Sequence, residues 1–347
     1  MRRTASLASI AALLPTALVA VVGLTVGSAA PAGAVVSWRL TEDAVSLGIN
    51  GVSPHVERVA AGDRVWRSDG PAGTAVSLCT DAGSCASETL TTAVGGPVSD
   101  FTVAQTAGGP RAYYKRLDMQ AGTQGVYSSA CASADCLSIG TGTLASTGMQ
   151  VSRDAKAWGV PDPVRMPDGR IRIYIVESPV EGACTEKVAS YVSADGVSFT
   201  KESGWRLEGG YVDTEVLRAR DGDWLMIMAN GPGCGGMQRL FVSSSSDGLS
   251  WSTPVALTGN DVGRLDPTGY ETSAGSNVYR IYYASCARNP CDAYAVKRAT
   301  LSIAPVSGEV GATKLGGKKT TITCVKGKVQ KKVTSAAPKC PKGYTQK

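Results

Sequence analysis

Carboxylates in two short segments have the spacing that acid–base chemistry requires. Asp213 and Glu215 lie two residues apart, and Asp162 lies in the Val-Pro-Asp-Pro-Val sequence of residues 160–164. In a β-strand, residues i and i+2 point to the same face, so Asp213 and Glu215 can face one cleft. Two carboxylates this close raise the pKa of one of them, which suits a general acid. The alternative is that one of the pair only caps a neighbouring strand.

A base to complement these groups is less obvious. His55 is the only histidine of the chain, and it either accepts a proton or is a hydrogen-bonded bystander. Asp100 is another source of a carboxylate, and Asp266 is either a further site residue or a turn former at a strand start. With one histidine and no Cys-x-x-Cys pair, the sequence predicts no metal site and no cofactor.

The elements that must position these residues are predicted to be β-strands. After residue 35, short runs of β-branched and aromatic residues alternate with clusters of Gly, Ser, Asp and Pro, as in residues 170–176 and 278–283. The polar residues 167–169 precede the first of these runs and would close a hairpin.

The hairpins recur in five units, which open at residues 53–56, 100–103, 161–164 and 213–216 and at Asp266. The distance from one unit to the next is between 47 and 61 residues, which matches four short strands with their loops. Repetition at this period is typical of propeller blades. The sequence therefore predicts an all-β, five-bladed β-propeller with a small C-terminal β module.

The ten cysteines support the same division, because one cysteine follows the second predicted strand of each unit. Three of these five have a partner within six residues, and two further cysteines lie in the tail. The remaining two are then predicted to pair with each other across neighbouring units. The predicted disulfides are Cys79–Cys85, Cys131–Cys136, Cys286–Cys291, Cys324–Cys340 and Cys184–Cys234. Disulfides indicate an oxidising compartment.

Two units share a Ser-x-Asp-Gly-x-x-aromatic sequence, at residues 193–199 and 245–251. The Asp-Gly pair makes a tight turn, and the aromatic residue packs between blades. This sequence resembles a shortened Asp-box of sialidase-type propellers, where its role is structural. Together with five blades and Asp-Pro at strand starts, it resembles the five-bladed glycoside hydrolases of family 43, over about residues 40–305.

The resemblance implies an inverting reaction run by three carboxylates around a central funnel. Blade one supplies a general base, blade three an orienting aspartate and blade four a general acid. Carried over to this sequence, the orienting residue is Asp162 and the acid is either Asp213 or Glu215. The catalytic candidates are Asp162, Asp213, Glu215 and Asp100.

Blade one departs from the family pattern, because Ser53 stands where the base aspartate is expected. We therefore expect the base to be Asp100, or a water activated through His55. If neither serves, the protein would be a non-catalytic propeller that binds carbohydrate or cell wall. The predicted substrate-binding residues are Ser53, His55, Trp158, Tyr211, Asp266 and Tyr270. For each aromatic residue among them, the alternative is packing between blades.

The two ends of the chain differ in composition from its body. A basic start, an apolar stretch over residues 7–26 and small residues at 32–34 predict a cleaved signal peptide of residues 1–34, with a retained membrane anchor as the alternative. The tail, residues 314–347, contains ten Lys and no acidic residue. The chain carries +6, of which the first 34 residues contribute +2 and the tail +10, so the propeller predicted for residues 35–313 carries −6.

This charge distribution does not suggest a nucleic-acid-binding domain. The tail resembles the Lys-rich, Cys-paired tails of secreted actinobacterial proteins. It would either hold the body near an anionic cell wall or only aid solubility. The sequence therefore predicts a secreted, extracellular, monomeric protein whose partner is a glycan.

Overall fold

The computed structural model describes residues 37–155, 158–177, 184–219, 222–303, 320–327, 329–335 and 340–346. These residues form β-strands joined by turns, with two short 3₁₀ helices, η1 (Gly70–Ala72) and η2 (Thr147–Met149). In the described part of the chain, no helix is long and apolar enough to cross a membrane. The predicted signal peptide and the predicted boundary at residues 313 and 314 lie outside the described residues.

Five antiparallel sheets form the blades of a propeller, and in each blade the inner strand is named first. Blade one is β2 (Val52–Val59), β3 (Gly62–Ser68), β4 (Thr74–Cys79) and β5 (Cys85–Glu88). Blade two is β7 (Val98–Thr106), β8 (Gly109–Asp118) and β9 (Thr123–Ala130), with β11 (Thr143–Leu144) and β12 (Gln150–Ser152) both paired to β9. Blade three is β13 (Gly159–Arg165), β14 (Ile171–Glu177), β15 (Lys187–Ser193) and β16 (Thr200–Lys201).

The remaining strands complete the ring and form two small sheets. Blade four is β17 (Tyr211–Arg218), β18 (Trp224–Asn230), β19 (Leu240–Ser245) and β20 (Val255–Ala256). Blade five is β21 (Gly263–Glu271), β22 (Val278–Cys286), β23 (Ala295–Ile303) and β1 (Trp38–Glu42). Strands β6 (Thr91–Thr92) and β10 (Ser138–Ile139) pair in parallel, and the tail forms its own sheet from β24 (Thr320–Lys326), β25 (Val329–Ser335) and β26 (Thr345–Gln346).

The ring is closed by the start of the propeller chain. Strand β1 is the outermost strand of blade five and pairs with β23 from Trp38 opposite Ile303 to Glu42 opposite Ala299. Each inner strand packs against the inner strand of the next blade, and β21 packs against β2. The predicted five-bladed propeller is thereby confirmed, and the closing strand comes from the N-terminal side.

The core is divided among the blade interfaces. Five hydrophobic clusters are present, one between each pair of neighbouring blades. Between blades one and two, for example, Trp66 stacks on Phe101, which stacks on Tyr114, with ring centroids 6.0 and 6.3 Å apart. Because large aromatic rings fill these interfaces, the blades are held in fixed orientation around the central axis.

The two Asp-Gly turns tie neighbouring blades together, as predicted for structural elements. The Tyr113 hydroxyl of blade two donates to the carbonyl of Gly196 at 2.8 Å, and the Tyr174 hydroxyl of blade three donates to that of Gly248 at 2.8 Å. Both glycines have a left-handed backbone, and a Cβ on either would lie 2.8 Å from the tyrosine oxygen. Glycine is therefore required at both turns.

All five predicted disulfides are present. Cys184–Cys234 joins the loops of blades three and four and spans 50 residues, whereas Cys131–Cys136 spans 5. We expect the Cys184→Ser/Cys234→Ser variant to lose about 2–4 kcal/mol of unfolding free energy, since longer closed loops constrain the unfolded chain more. The Cys131→Ser/Cys136→Ser variant is the control, and urea unfolding measures both. An equal or larger loss in the control would contradict the expectation.

We expect the tail to be dispensable for folding of the propeller. Its strands pair with each other, and blade five receives its outer strand from β1. Truncation after residue 311 should therefore leave the melting temperature nearly unchanged, whereas deletion of residues 37–42 should lower it strongly. Calorimetry of both variants is the measurement. A large drop on truncation would mean that the tail stabilises the propeller.

Candidate active site

The five inner strands share one irregularity near their starts. In each, the pairing to the second strand shifts register, and one non-glycine residue takes a left-handed backbone with φ between 47° and 54°. Such backbone is costly and is maintained by surrounding structure, often at functional sites. We call these residues the first tier: Ser53, Asp100, Val160, Asp213 and Asp266. The residues two positions later form the second tier: His55, Thr102, Asp162, Glu215 and Thr268.

Strand pairing decides which residues of different blades are equivalent. In blade three, Asp162 is the first residue after the register shift and pairs with Tyr174. In blade four, Glu215 has the same place and pairs with Ile227. Asp162 is therefore equivalent to Glu215 rather than to Asp213. In blade one the equivalent position is that of His55 rather than Ser53.

The unit of blade three accordingly opens at Val160, one residue before the predicted start. In the sequence, each of the first four unit openings ends in a Val, at residues 56, 103, 164 and 216. Alignment on these valines shifts blade three by one residue, because Pro163 occupies the structural position that a Val occupies in blades one, two and four. Pro163 pairs with Ile173 as Val56 pairs with Val65. The first tier therefore has three carboxylates, on blades two, four and five, and none on blade three.

The second tier forms a ring of hydrogen bonds between blades. In four blades, the side chain of the second-tier residue accepts a hydrogen bond from a backbone N–H of the following blade. The donor is the residue directly after the second-tier residue of that following blade. The bonds are Val103 N to His55 Nε2 at 3.1 Å, Val216 N to Asp162 Oδ2 at 2.7 Å, Gly269 N to Glu215 Oε1 at 3.0 Å and Val56 N to Thr268 Oγ1 at 3.3 Å. The fifth bond is absent because Pro163 has no N–H, and the Thr102 hydroxyl donates to the Tyr113 carbonyl instead. Each carboxyl thus uses one oxygen for the ring.

The first tier holds an ionised carboxylate. Burial alone would raise the pKa of Asp100, but the charge and hydrogen bond of Lys115 outweigh it, so the pKa lies below its ordinary value. Lys115 Nζ lies 2.7 Å from Asp100 Oδ2. The Ser68 hydroxyl accepts the Asp100 backbone N–H at 2.9 Å. Asp100 is therefore negatively charged at neutral pH.

The other carboxyls of the two tiers have raised pKa values. Burial is the largest cause for Asp162, Asp213 and Glu215. The charge of Asp162 further raises the pKa of Glu215, and the charge of Asp266 raises that of Asp213. Burial raises the pKa of Asp266 to about 6. The pKa values of these carboxyls are thus shifted in the direction opposite to that of Asp100, which is the arrangement that acid–base catalysis uses.

Asp213 and Asp266 form a carboxyl pair. After burial, the charge of Asp266 and its contact with the Asp213 side chain raise the pKa of Asp213. Asp266 Oδ2 also accepts the backbone N–H of Ser53 at 2.8 Å, which joins blade five to blade one. The structure thus brings Ser53, Asp100, Asp213 and Asp266 together in one tier.

Lys115 is the site residue that sequence reasoning missed. It lies on the second strand of blade two, where it reaches inward to Asp100. Lys115 lies two residues after the residue of the second strand that pairs with the second tier. At the same position the other blades have small or apolar residues: Ser68, Val176, Ala229 and Ala284. A lysine at this repeat position is the signal that could have identified it.

We expect Lys115→Met to move the acidic limb of any pH–activity profile to higher pH. Burial disfavours the ammonium, yet the charges of Asp100, Asp266 and Asp213 keep the pKa of Lys115 above its ordinary value, so it is charged throughout. Without that charge the pKa of Asp100 rises, and the base is protonated at a higher pH. Kinetics from about pH 4 to 8 measure the shift. Lys201→Met, which removes a surface ion pair with Glu177, is the control, and an identical profile in both variants would contradict the expectation.

His55 lies in the second tier but has a structural partner. Burial lowers its pKa to about 3, so the ring is neutral. Its Nε2 accepts the Val103 N–H, which leaves the proton on Nδ1. The imidazole therefore joins blades one and two, and its free lone pair is already occupied.

The three candidate aromatic residues do not form one set. Trp158 is 7% exposed and lies in the cluster between blades two and three. Tyr211 packs edge-on against Phe241 at 5.3 Å. Tyr270 lies four residues beyond Asp266, roughly 13 Å further along the strand, and donates to Asp63 Oδ1 at 2.6 Å. Packing between blades accounts for Trp158, and Tyr270 lies at the opposite end of the inner strand from the first tier.

Among the described residues, no group of three or more His, Cys, Asp and Glu side chains is arranged to hold a metal ion. In the first tier, the ammonium of Lys115 pairs with the carboxylate of Asp100. The axial carboxyls can exchange protons with a ligand bound over the axis.

The fold is that of known five-bladed glycoside hydrolases. No family model and no curated protein sequence matches the chain. Its structure is similar to a thermostable family-43 glycoside hydrolase, with a TM-score of 0.59 and 12% identity over 78% of this chain and 98% of that one. It is also similar to an endo-arabinase from Bacteroides thetaiotaomicron (TM-score 0.53, 12% identity, 79% and 99%) and to the catalytic domain of the Coprinopsis cinerea GH62 α-L-arabinofuranosidase (0.53, 12%, 77% and 97%). The predicted resemblance to the family 43 fold is thus confirmed.

Proposed function

We propose that this protein is a glycoside hydrolase whose active site is the axial funnel. Two findings support the proposal. The fold is shared with glycoside hydrolases, including enzymes that act on arabinose-containing glycans. The pKa values of the axial carboxyls are shifted in opposite directions, with that of Asp100 lowered by Lys115 and that of Glu215 raised by burial and by the charge of Asp162.

The proposed reaction is inverting. Glu215 protonates the glycosidic oxygen as the bond to the anomeric carbon breaks, while Asp100 removes a proton from the water that attacks the opposite face. Asp162, next to Glu215, orients the substrate and raises the pKa of the acid. Asp213 is the alternative acid, since burial and the charge of neighbouring Asp266 raise its pKa. The observation that carries the proposal is that the pKa of Asp100 is lowered by Lys115, whereas the pKa of Glu215 is raised.

A non-catalytic carbohydrate-binding propeller is the second candidate. Blade one favours it, because Ser53 cannot act as a base unaided and His55 already accepts a backbone N–H. In that case the axial carboxyls would bind sugar hydroxyls only. The five disulfides are consistent with function outside the cell. The Lys-rich tail would then hold the protein at an anionic cell wall.

The decisive experiment is a screen of the purified protein on plant and bacterial wall polysaccharides, with the anomer of the first product followed by NMR. We expect release of sugars with inverted configuration. A retained configuration would exclude the reaction as written. Binding without hydrolysis on the whole panel would establish the second candidate.

A further inference from the structure

The two oxygens of the Asp100 carboxylate have different surroundings. Oδ2 is buried and lies 2.7 Å from Lys115 Nζ. Oδ1 accepts a hydrogen bond of 3.4 Å from the hydroxyl of Ser68. Because Lys115 occupies Oδ2, the oxygen available to take up a proton is Oδ1, next to the Ser68 hydroxyl.

Ser68 and Lys115 have the same position in the repeat. Each lies two residues after the residue of the second strand that pairs with the second tier, Ser68 in blade one and Lys115 in blade two. At this position the other three blades have Val176, Ala229 and Ala284. The two polar residues at this position are therefore the two that contact Asp100, one on each oxygen.

The Ser68 hydroxyl is able to accept one more hydrogen bond. A serine hydroxyl has one donor and two acceptor lone pairs. Its donor is directed at Asp100 Oδ1, and one lone pair accepts the Asp100 backbone N–H at 2.9 Å. In the described part of the chain no other group donates to this oxygen. The second lone pair is thus free to accept a hydrogen bond from a water molecule.

Ser68 also borders the space from which a water would arrive. A cavity of about 900 Å³ lies at the end of the propeller where the inner strands start, and Ser68 forms part of its wall, whereas Asp100 does not. The Asp100 side chain is only 6% exposed. Ser53 is the other serine that contacts Asp100, but it does not line this cavity. A water in the cavity therefore meets the Ser68 hydroxyl before it meets the carboxylate.

We propose that Ser68 is a catalytic residue that relays a proton from the attacking water to Asp100. As the water oxygen forms its bond to the anomeric carbon, one water proton moves to Ser68 Oγ and the Ser68 hydroxyl proton moves to Asp100 Oδ1. The glycosidic bond breaks in the same step, and the leaving oxygen takes the bonding electron pair and the proton of Glu215.

The relay leaves the serine neutral, because it gains and loses one proton. Asp100 later returns its proton to solvent along the same path. The 3.4 Å contact is long for a hydroxyl donor, and catalytic hydrogen bonds commonly shorten when substrate binds. The inference rests on the proposed function, since it requires Asp100 to be the base of a hydrolase.

The test compares Ser68→Thr with Ser68→Val, because threonine and valine have the same shape and differ in the hydroxyl. The substrate is a dinitrophenyl glycoside of the sugar released in the polysaccharide screen, whose leaving group needs no proton. We expect Ser68→Thr to keep most of the wild-type kcat and Ser68→Val to lose about 10²-fold, within the range for one acid–base group. Equal losses in the two variants would overturn the relay, since the added methyl group would then be the cause.

Ser129→Ala is the control for loss of a buried serine hydroxyl outside the site. Ser129 lies on β9 and donates to the Gly140 carbonyl at 2.6 Å, so we expect wild-type kinetics. Ser53→Ala is the comparison for the other serine near Asp100. A larger loss of kcat in Ser53→Ala than in Ser68→Val would overturn the assignment to Ser68.

The double variant Asp100→Asn/Ser68→Val shows whether the two residues act in one chain. A relay without its acceptor has nothing further to lose, so the double variant should be no slower than Asp100→Asn alone. Losses that multiply would mean that Ser68 acts independently of Asp100 and would overturn the relay. Melting temperatures near that of the wild type confirm that each variant is folded.

The outcomes separate this inference from the proposed function. If Ser68→Val hydrolyses the glycoside at the wild-type rate while Asp100→Asn does not, the relay is overturned and the hydrolase with Asp100 as base stands. If the wild type hydrolyses neither the polysaccharides nor a panel of dinitrophenyl glycosides, the hydrolase proposal fails and the relay fails with it.

Discussion

Asp162→Asn should reduce kcat by about 10²–10⁴-fold, the range associated with loss of one acid–base group, and leave the fold intact. The asparagine amide oxygen can still accept the Val216 N–H that Asp162 accepts at 2.7 Å. What the variant removes is the carboxyl whose charge raises the pKa of Glu215. The melting temperature should therefore stay close to that of the wild type while turnover is lost.

The same variant has a signature in its pH profile. Burial and the charge of Asp162 both raise the pKa of Glu215, so removing that charge lowers it. A general acid must be protonated, and residual activity should therefore be lost at a lower pH on the alkaline side. Asp168→Asn, an exposed aspartate bonded to Arg170 in the β13–β14 turn, is the matched control with wild-type kinetics. Full activity in a correctly folded Asp162→Asn variant would exclude a catalytic role.

The blades were predictable because their signals are local and repeated. A hairpin period near 50 residues and one cysteine after each second strand specify the strand count, and the disulfide across blades three and four follows by elimination. The closing strand β1 was not visible in the same way. It is five residues long with a burial pattern that is mostly exposed, and its partner β23 lies at the far end of the propeller sequence.

The site was predictable only to within one residue in register. The inner strands of blades one to four begin with similar short motifs that end in Val. In blade three, however, this Val is Val164, one position later in the strand pairing than in the other blades, because Pro163 takes its place. A backbone with positive φ at Val160 gives no sequence signal, since valine rarely adopts it. Strand pairing was needed to show that Asp162 corresponds to Glu215 and to His55.

Residues that act across strands were the hardest to identify. Lys115 meets Asp100 because the second strand of blade two points its side chain at the axis. Proximity to Asp266 in sequence predicts Tyr270 at the mouth of the funnel. In an extended strand, however, four residues cover roughly 13 Å, which is enough to carry Tyr270 to Asp63 at the other end.

Glu215→Gln should cost about 10²–10⁴-fold in kcat/KM on polysaccharide and much less on glycosides with good leaving groups. Loss of a general acid matters only when the leaving oxygen needs a proton, so a dinitrophenyl glycoside bypasses it. Glutamine still accepts the Gly269 N–H that Glu215 accepts at 3.0 Å, so the interblade bond survives. The ratio of the two losses, measured on the same preparation, is the diagnostic.

Asp213→Asn is the matched comparison, because Asp213 lies on the same inner strand of blade four. Its side chain is paired with that of Asp266, and an asparagine amide can keep that contact. We therefore expect a smaller loss on polysaccharide that an activated leaving group does not relieve. If instead an activated leaving group relieved the loss in Asp213→Asn and not the loss in Glu215→Gln, Asp213 would be the acid. Glu215 would then serve only in the hydrogen-bond ring of the second tier. Unchanged activity in both variants would mean that neither carboxyl transfers a proton, and the acid would then have to come from another blade.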